Sequence, residues 1–111
     1  MDWKILKSDT QLTEIIDRSK TGPVAIYKHS ITCPVSAYVK SALERNLKFS
    51  QDDLPIYYLD LVTYRGVSNA VAKVFGVRHQ SPQVLVIREG KVILSSSHLG
   101  ISVKKIKSVV S

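Results

Sequence analysis

The stretch Val24-Ala25-Ile26-Tyr27-Lys28-His29-Ser30-Ile31-Thr32-Cys33-Pro34-Val35-Ser36 decides the fold. It opens with four apolar residues, 24–27, behind the turn residues Gly22-Pro23, which is the pattern of a short buried strand. Apolar residues then recur with the spacing of an amphipathic helix at Val35, Val39, Ala42, Leu43 and Leu47. The stretch therefore predicts a buried strand that passes through a polar corner into a helix, with Cys33 in the corner.

The flanking sequence predicts further strands and helices. Before the stretch, an edge strand is predicted at 3–7, followed by a helix that begins with the capping-box spacing of Ser8 and Gln11 and buries Leu12, Ile15 and Ile16. After it come a polar connection at 48–53 with Pro55, a strand at 56–61, and a helix that ends at Gly76 and has on one face Val67, Ala70, Val71, Val74 and Phe75. Strands are predicted at 83–88 and 91–96, and a last helix follows Gly100 or Ser102 with Val103, Ile106 and Val110 facing inward. The two residues Glu89-Gly90 favour a tight antiparallel hairpin between the last two strands.

This order predicts an α/β fold in one domain, residues 1–111. Strand-helix-strand units imply parallel strands joined by right-handed crossovers, and the hairpin adds antiparallel strands to the same sheet. A mixed central sheet with helices on both faces results. The 111 residues, 44% hydrophobic and 23% charged, are ordinary for a single globular domain.

The net charge of +7 raises the question of an acidic partner. Lys and Arg are scattered along the chain without an Arg-rich run, which favours a solvated basic surface over a nucleic-acid partner. The start has no charged segment followed by an apolar one, as a secretory signal would, and the longest apolar runs are far shorter than the roughly 20 residues of a membrane span. We expect a cytoplasmic protein with no membrane or nucleic-acid partner.

Cys33 is the only cysteine of the chain. A single thiol excludes an intrachain disulfide, a CxxC redox pair and any zinc site built on paired cysteines. The chemistry open to it is therefore that of a lone thiol, which a reducing cytoplasm keeps reduced.

The corner favours a reactive cysteine over a buried structural one. Thr32 is a permitted N-cap. Pro34 suits the first helical turn because N–H groups there have no intrahelical partner, so a proline loses no hydrogen bond. Cys33 then lies at the positive end of the helix dipole, which favours the nucleophilic thiolate. Ser36 lies on the same helical face, and both a hydrogen bond from its hydroxyl to the sulfur and a solvated hydroxyl remain open.

The segment Gly76-Val77-Arg78-His79-Gln80-Ser81-Pro82 precedes the hairpin. Taken alone, Pro82 is an ordinary proline that opens a strand, since only about 5–6% of bonds before proline are cis.

Together, this segment, the order of elements and the corner at Cys33 resemble the thioredoxin fold over nearly the whole chain. The resemblance implies that Ser81-Pro82 is cis beside the active sulfur, and that Ser81 offers its backbone to an extended substrate segment. More narrowly, Thr32-Cys33-Pro34-Val35-Ser36 resembles the TCP[IV]S site of the YtxJ family, monothiol bacilliredoxin-like proteins linked to bacillithiol. The sequence departs from dithiol thioredoxins at Ser36, which replaces the second cysteine, and at Tyr27, which stands where thioredoxins bury an acid.

The resemblance implies a monothiol thiol-disulfide oxidoreductase that removes bacillithiol from proteins. Cys33 is the expected catalytic residue, supported by Thr32, Pro34 and Ser36, and Ser81 with Pro82 is the expected substrate-binding pair. The partners implied are S-bacillithiolated proteins and bacillithiol as co-substrate, with no tightly bound cofactor. Two alternatives remain at this point: a redox-inactive thioredoxin-like adaptor that binds proteins through the Pro82 edge, and a glutaredoxin-like enzyme that uses another small thiol.

Other polar residues are weaker candidates. Lys28, Arg78 and His79 are candidates for contact with the carboxylates of an anionic thiol, although solvated surface positions are favoured for them. His29, His79 and His98 are candidate bases, but no two have a metal-ligand spacing, so we expect no metal site. Trp3 and Tyr57, Tyr58 and Tyr64 are expected in the core or at its rim rather than as a stacking platform for bases.

Overall fold

The computed structural model describes residues 3–46 and 54–110. In chain order it contains β1 (Trp3–Ile5), α1 (Gln11–Ser19), β2 (Val24–His29), α2 (Pro34–Asn46), β3 (Ile56–Asp60), α3 (Arg65–Phe75), β4 (Gln83–Arg88), β5 (Lys91–Ser97), a 3-10 turn (His98–Gly100) and α4 (Val103–Val110). All predicted helices and strands are confirmed within small shifts of their ends. The predicted connection at 48–53 and the predicted helix residue Leu47 lie outside the described residues.

The five strands form one mixed sheet in the order β1-β3-β2-β4-β5. β2 runs parallel to β3, and β3 runs parallel to β1, whereas β4 is antiparallel to both β2 and β5. The mixed α/β sheet predicted from the order of elements is confirmed. β2, the strand that leads to the cysteine, lies at its centre and is buried along its whole length.

Alternate residues of β2 pack into two different cores. Val24 and Ile26 face the layer that contains α1 and α3, where Leu12 is one of the buried residues. Ala25 and Tyr27 face the opposite layer, which contains α2 and α4. Because successive side chains of a strand point to opposite faces, a strand covered on both sides needs the near-continuous apolar run that predicted it.

The predicted turns have the expected backbone, but the start of α1 differs from its prediction. Gly76 ends α3 in the left-handed conformation with φ 64°, and Glu89 and Gly90 both have positive φ, as a type I′ hairpin requires. α1 begins at Gln11 with Thr10 before it, and no side chain caps its first turn. The prediction of a complete capping box was wrong: the Gln11 side chain does accept the N–H of Ser8 at 3.0 Å, but the Ser8 hydroxyl contacts Thr10 instead of the helix.

Candidate active site

The cysteine corner, Pro82 and the end of β5 lie at one edge of the sheet. The pairing places Lys28, the next-to-last residue of β2, opposite Gln83, and Gln83 opposite Ser97. The carboxyl end of β2, the first residue of β4 and the last residue of β5 are therefore neighbours. Ligands of open α/β sheets collect at such an edge, beside helix N-termini.

Cys33 is the N-cap of α2. Its carbonyl accepts the first intrahelical hydrogen bond, from Ala37 at 3.3 Å, and its own N–H donates to Ser30 at 3.1 Å. Pro34 is the first helical residue, as predicted. The prediction that Thr32 is the N-cap was wrong: the helix starts one residue later, and the Thr32 hydroxyl lies 3.0 Å from that of Ser30.

This position makes the sulfur the acceptor for the free N–H groups of the first turn. An N-cap side chain normally accepts the N–H of the second or third helical residue, which here are Val35 and Ser36. The N–H of Ser36 lowers the pKa of the Cys33 thiol most, and it acts against partial burial, which raises that pKa. The N–H of Val35 and the hydroxyl of Ser36 lower it further, so the net pKa is below that of an ordinary cysteine.

The Ser36 side chain is buried and not solvated. Its oxygen accepts the N–H of Ser30 at 3.3 Å, which leaves its single proton free for the Cys33 sulfur. Of the two possibilities that the sequence left open, the structure therefore favours the hydrogen bond to sulfur. The hydroxyl and the backbone N–H of Ser36 both lower the pKa of the Cys33 thiol.

Tyr27 is fully buried beneath the first turn of α2. Its hydroxyl donates to the carbonyl of Ser36 at 2.8 Å and lies 3.2 Å from Nδ1 of His29. Because the only phenolic proton goes to Ser36, the neutral His29 ring must donate from Nδ1. Burial raises the pKa of Tyr27 well above its ordinary value, with contributions from the nearby Tyr58 and Cys33, so the phenol remains protonated. The sequence identified Tyr27 as a substitute for a buried acid but did not predict this bond.

An aromatic cluster covers Tyr27 and His29 from the side of β1. The centroid of the Trp3 ring lies 5.5 Å from that of Tyr27 and 5.7 Å from that of Tyr58. Lys40 of α2 lies over the Trp3 and Tyr58 rings, and Glu44 accepts hydrogen bonds from Lys40 at 3.0 Å and from the Trp3 indole at 2.9 Å. These contacts join α2 to β1 and β3. Trp3 and Tyr58 thus have the core-rim position expected of them.

The Ser81–Pro82 peptide bond is cis, and Pro82 is buried. The carbonyl of Pro82 accepts the N–H of His98 at 2.9 Å, which joins the segment before β4 to the end of β5. Among the described residues, neither the backbone of Ser81 nor its buried hydroxyl has a hydrogen-bond partner. The backbone of Ser81 is therefore available to another chain.

Lys28 is not on the surface, where the sequence placed it. The side chain is fully buried because position 28 shares the α1/α3 face of β2 with Val24 and Ile26, and because His79 covers its end. Its Nζ donates to the carbonyl of Ser68 at 3.1 Å and lies 3.2 Å from Nδ1 of His79. Burial lowers the pKa of Lys28 to about 8. Arg78 and His79 are exposed, as expected.

Two observations on the described parts of the chain concern other classes of site. Within residues 3–46 and 54–110, no group of three or more His, Cys, Asp or Glu side chains is arranged to hold a metal ion. Over the same residues, no helix has the length and apolarity needed to cross a membrane.

Solved structures identify the class of fold. A candidate oxidoreductase described as having a thioredoxin fold matches with a TM-score of 0.82 at 30% identity, covering 97% of this chain and 93% of that one. Thioredoxin from Malassezia sympodialis matches with a TM-score of 0.73 at 14% identity, covering 98% of this chain and 88% of that one. Oxidised thioredoxin O2 from Arabidopsis thaliana matches with a TM-score of 0.66 at 24% identity, covering 96% of this chain and 90% of that one. The chain therefore has the thioredoxin fold that the sequence resemblance implied.

The particular family follows from a family model that covers most of the chain. The model of the monothiol bacilliredoxin BrxC matches residues 4–106. The chain belongs to the monothiol bacilliredoxin BrxC family. The resemblance to monothiol bacilliredoxin-like proteins is confirmed, and fold and family together support a thiol-disulfide oxidoreductase in general.

Proposed function

We propose that this protein removes bacillithiol from protein mixed disulfides. In the first step the Cys33 thiolate attacks the bacillithiol sulfur of a client mixed disulfide. A new disulfide forms between Cys33 and bacillithiol as the old one breaks, and the client leaves as a thiolate that takes a proton from water. The client is reduced, and its bacillithiol is now carried by Cys33.

The position of Cys33 as N-cap of α2 carries the proposal. A thiolate is the reacting species, and at this position the N–H groups of Ser36 and Val35 and the Ser36 hydroxyl all stabilise it. The side chain is only partly buried, so a disulfide on a client surface has access to the sulfur.

The lone thiol requires an external reductant for the second step. Thioredoxins with two cysteines use the second to displace the client, but Ser36 holds that position here and has no sulfur. A second small thiol, which we propose to be bacillithiol, attacks the adduct, forms a bacillithiol disulfide and releases the Cys33 thiolate. The electron pair that reduces the client is thus supplied by small thiols in a reducing cytoplasm.

The backbone of Ser81 is the proposed contact for the client. An extended client segment beside Pro82 would pair with the free N–H and carbonyl of Ser81. Such pairing places a cysteine of the segment near Cys33 without demanding particular neighbouring side chains.

The test uses a purified client carrying bacillithiol. Wild-type protein is expected to release it and to acquire a bacillithiol-sized adduct on Cys33, seen by mass spectrometry. Cys33→Ser should abolish both, whereas Ser36→Cys should form an internal disulfide between positions 33 and 36 and lose the stable adduct. Undiminished release by Cys33→Ser would end the proposal.

The rate of alkylation of Cys33 against pH separates the enzyme from an adaptor that binds proteins without redox chemistry. A midpoint below that of free cysteine supports the enzyme. An unperturbed midpoint would support the adaptor. Replacing bacillithiol with glutathione as the resolving thiol tests the glutaredoxin-like alternative.

A further inference from the structure

Lys28 is a fully buried cation whose described partners include no carboxylate. Among the described residues, its Nζ contacts the Ser68 carbonyl and Nδ1 of His79, and neither of the two ion pairs found there involves it. Buried charges are normally paired, so an unpaired ammonium on the central strand calls for a reason beyond stability. The proposed half-reaction of Cys33 does not use it.

The contact between Lys28 and His79 fixes the proton of the imidazole. An ammonium has donors only, so Nδ1 of His79 must be the acceptor, and the neutral ring carries its proton on Nε2. Lys28, with a pKa of about 8, is mostly an ammonium at pH 7. The hydroxyl of Ser68 lies 3.3 Å from the same Nδ1 and favours the same tautomer when it donates.

The segment that carries His79 is anchored to the core and leads directly to Pro82. Lys28 and Ser68 hold the His79 ring, and the amide of Gln83 donates to the carbonyl of Arg78 at 3.0 Å. His79 lies three positions before Pro82, whose cis bond to Ser81 is at the candidate active site. The exposed His79 is therefore held at the edge of the sheet where a substrate of Cys33 would approach.

The charges around His79 suit an anionic group. Burial lowers the pKa of His79 most, followed by the positive charges of Lys28 and Arg65, and no acidic side chain among residues 3–46 and 54–110 contributes to the shift. Arg78, next in sequence, is exposed. A neutral Nε2–H donor among cations binds a carboxylate well, since hydrogen bonds to charged groups are the stronger kind.

We propose that Lys28 is a positioning residue that holds neutral His79 with its Nε2–H outward, and that this N–H, beside Arg65, binds a carboxylate of the small thiol carried by the client. The inference rests on the proposed function, because bacillithiol is the carboxylate-bearing thiol in question. It deepens that function by assigning recognition of the small thiol to the segment before Pro82. Cys33 performs the exchange, and His79 selects an acidic thiol.

The first test observes the His79 ring directly. Nitrogen-15 NMR of the full-length wild-type protein should show a neutral ring protonated on Nε2 between pH 7 and 8, because the pKa of His79 is lowered. In Lys28→Met, the tautomers should mix and the pKa of His79 should rise, because a nearby positive charge is gone. Lys73→Met removes one charge from the exposed end of α3 and is the matched control, which should leave the His79 signals unchanged.

The second test compares two mixed disulfides on the same client, one with bacillithiol and one with uncharged 2-mercaptoethanol. The ratio of their rates of removal cancels any change in the reactivity of Cys33. Lys28→Met and His79→Ala should each lower this ratio by about 10-fold, the value of one hydrogen bond to a charged group. The ratio should stay close to the wild-type value in His79→Gln, which retains an N–H donor, and in Lys73→Met.

The outcomes distinguish this inference from the proposed function. If the wild-type protein removes bacillithiol but Lys28→Met and His79→Ala both have the wild-type ratio of removal rates, recognition by His79 is refuted and the proposed function stands. If the wild-type protein removes 2-mercaptoethanol but not bacillithiol, the proposed function is refuted, and the inference with it. A His79 ring protonated on Nδ1 in the wild type refutes the positioning role of Lys28 by itself.

Discussion

The buried Lys28 should make the stability of the protein depend on pH in an unusual window. Burial lowers the pKa of this ammonium from 10.5 to about 8 in the folded state. A tenfold change in proton affinity corresponds to 1.36 kcal/mol, so below pH 8 the folded state bears a cost of about 3 kcal/mol for keeping this group charged. Between pH 8 and 10.5 the unfolded chain holds the proton and the folded chain does not. The free energy of unfolding therefore rises with pH across this window.

Urea denaturation of the wild-type protein and Lys28→Met at pH 7 and pH 9.5 measures this effect. Titration of Lys28 alone predicts that the wild type gains about 2 kcal/mol relative to Lys28→Met between these two values. Other groups that titrate in the same range cancel in the comparison, because both proteins contain them. Lys73→Met should follow the wild type, since its side chain is exposed on α3.

Parallel stability curves for wild type and Lys28→Met would refute the reasoning. They would mean that Lys28 titrates alike in the folded and unfolded states, as a solvated lysine does. A wild-type curve that falls relative to Lys28→Met from pH 7 to 9.5 would have the wrong sign, and would indicate an ammonium stabilised by a partner such as a carboxylate.

Three further substitutions and one control variant test other parts of the structure. Ser36→Ala removes one donor to the Cys33 sulfur and should move the midpoint of its alkylation rate to higher pH, a change that pH-dependent iodoacetamide labelling detects. Tyr27→Phe removes the hydroxyl that donates to the Ser36 carbonyl and should lower the free energy of unfolding by about 1–3 kcal/mol in urea, because buried groups lose their partner. Gly90→Ala places a side chain at φ 76° and should lower the melting temperature, whereas Gly22→Ala, with open space around it, should not.

The elements and the mixed character of the sheet follow from local patterns in the sequence. The run at 24–27 is apolar throughout because β2 is covered on both faces, and Gly76 and Gly90 stand where the backbone needs positive φ. Such signals lie within a few residues of the feature that they predict. The position of Cys33 near a helix N-terminus could be predicted for the same reason.

The details of the site depend on contacts between distant parts of the chain. One exception is local: α2 starts one residue later than an N-cap at Thr32 would place it, and the N–H of Cys33 donates to the Ser30 carbonyl in the turn before the helix. The burial of Lys28 depends on Ser68 and on His79, 51 residues away, and no local pattern shows that a lysine at the end of a strand has such a cover. Composition alone favours an exposed lysine.

The neutral phenol of Tyr27 suits a site with only one thiol. A buried acid or base beneath the cysteines of a dithiol enzyme helps to ionise the second thiol, and no second thiol exists here. The neutral phenol instead donates its only proton to the Ser36 carbonyl, which holds the turn whose N–H groups face the Cys33 sulfur. A charged residue at this position would change the pKa of the Cys33 thiol directly. Tyr27 remains protonated and neutral, so the thiolate is stabilised by the backbone of the first turn of α2. In the proposed reaction, therefore, protons are exchanged with solvent, and the protein acts mainly by keeping one sulfur ionised.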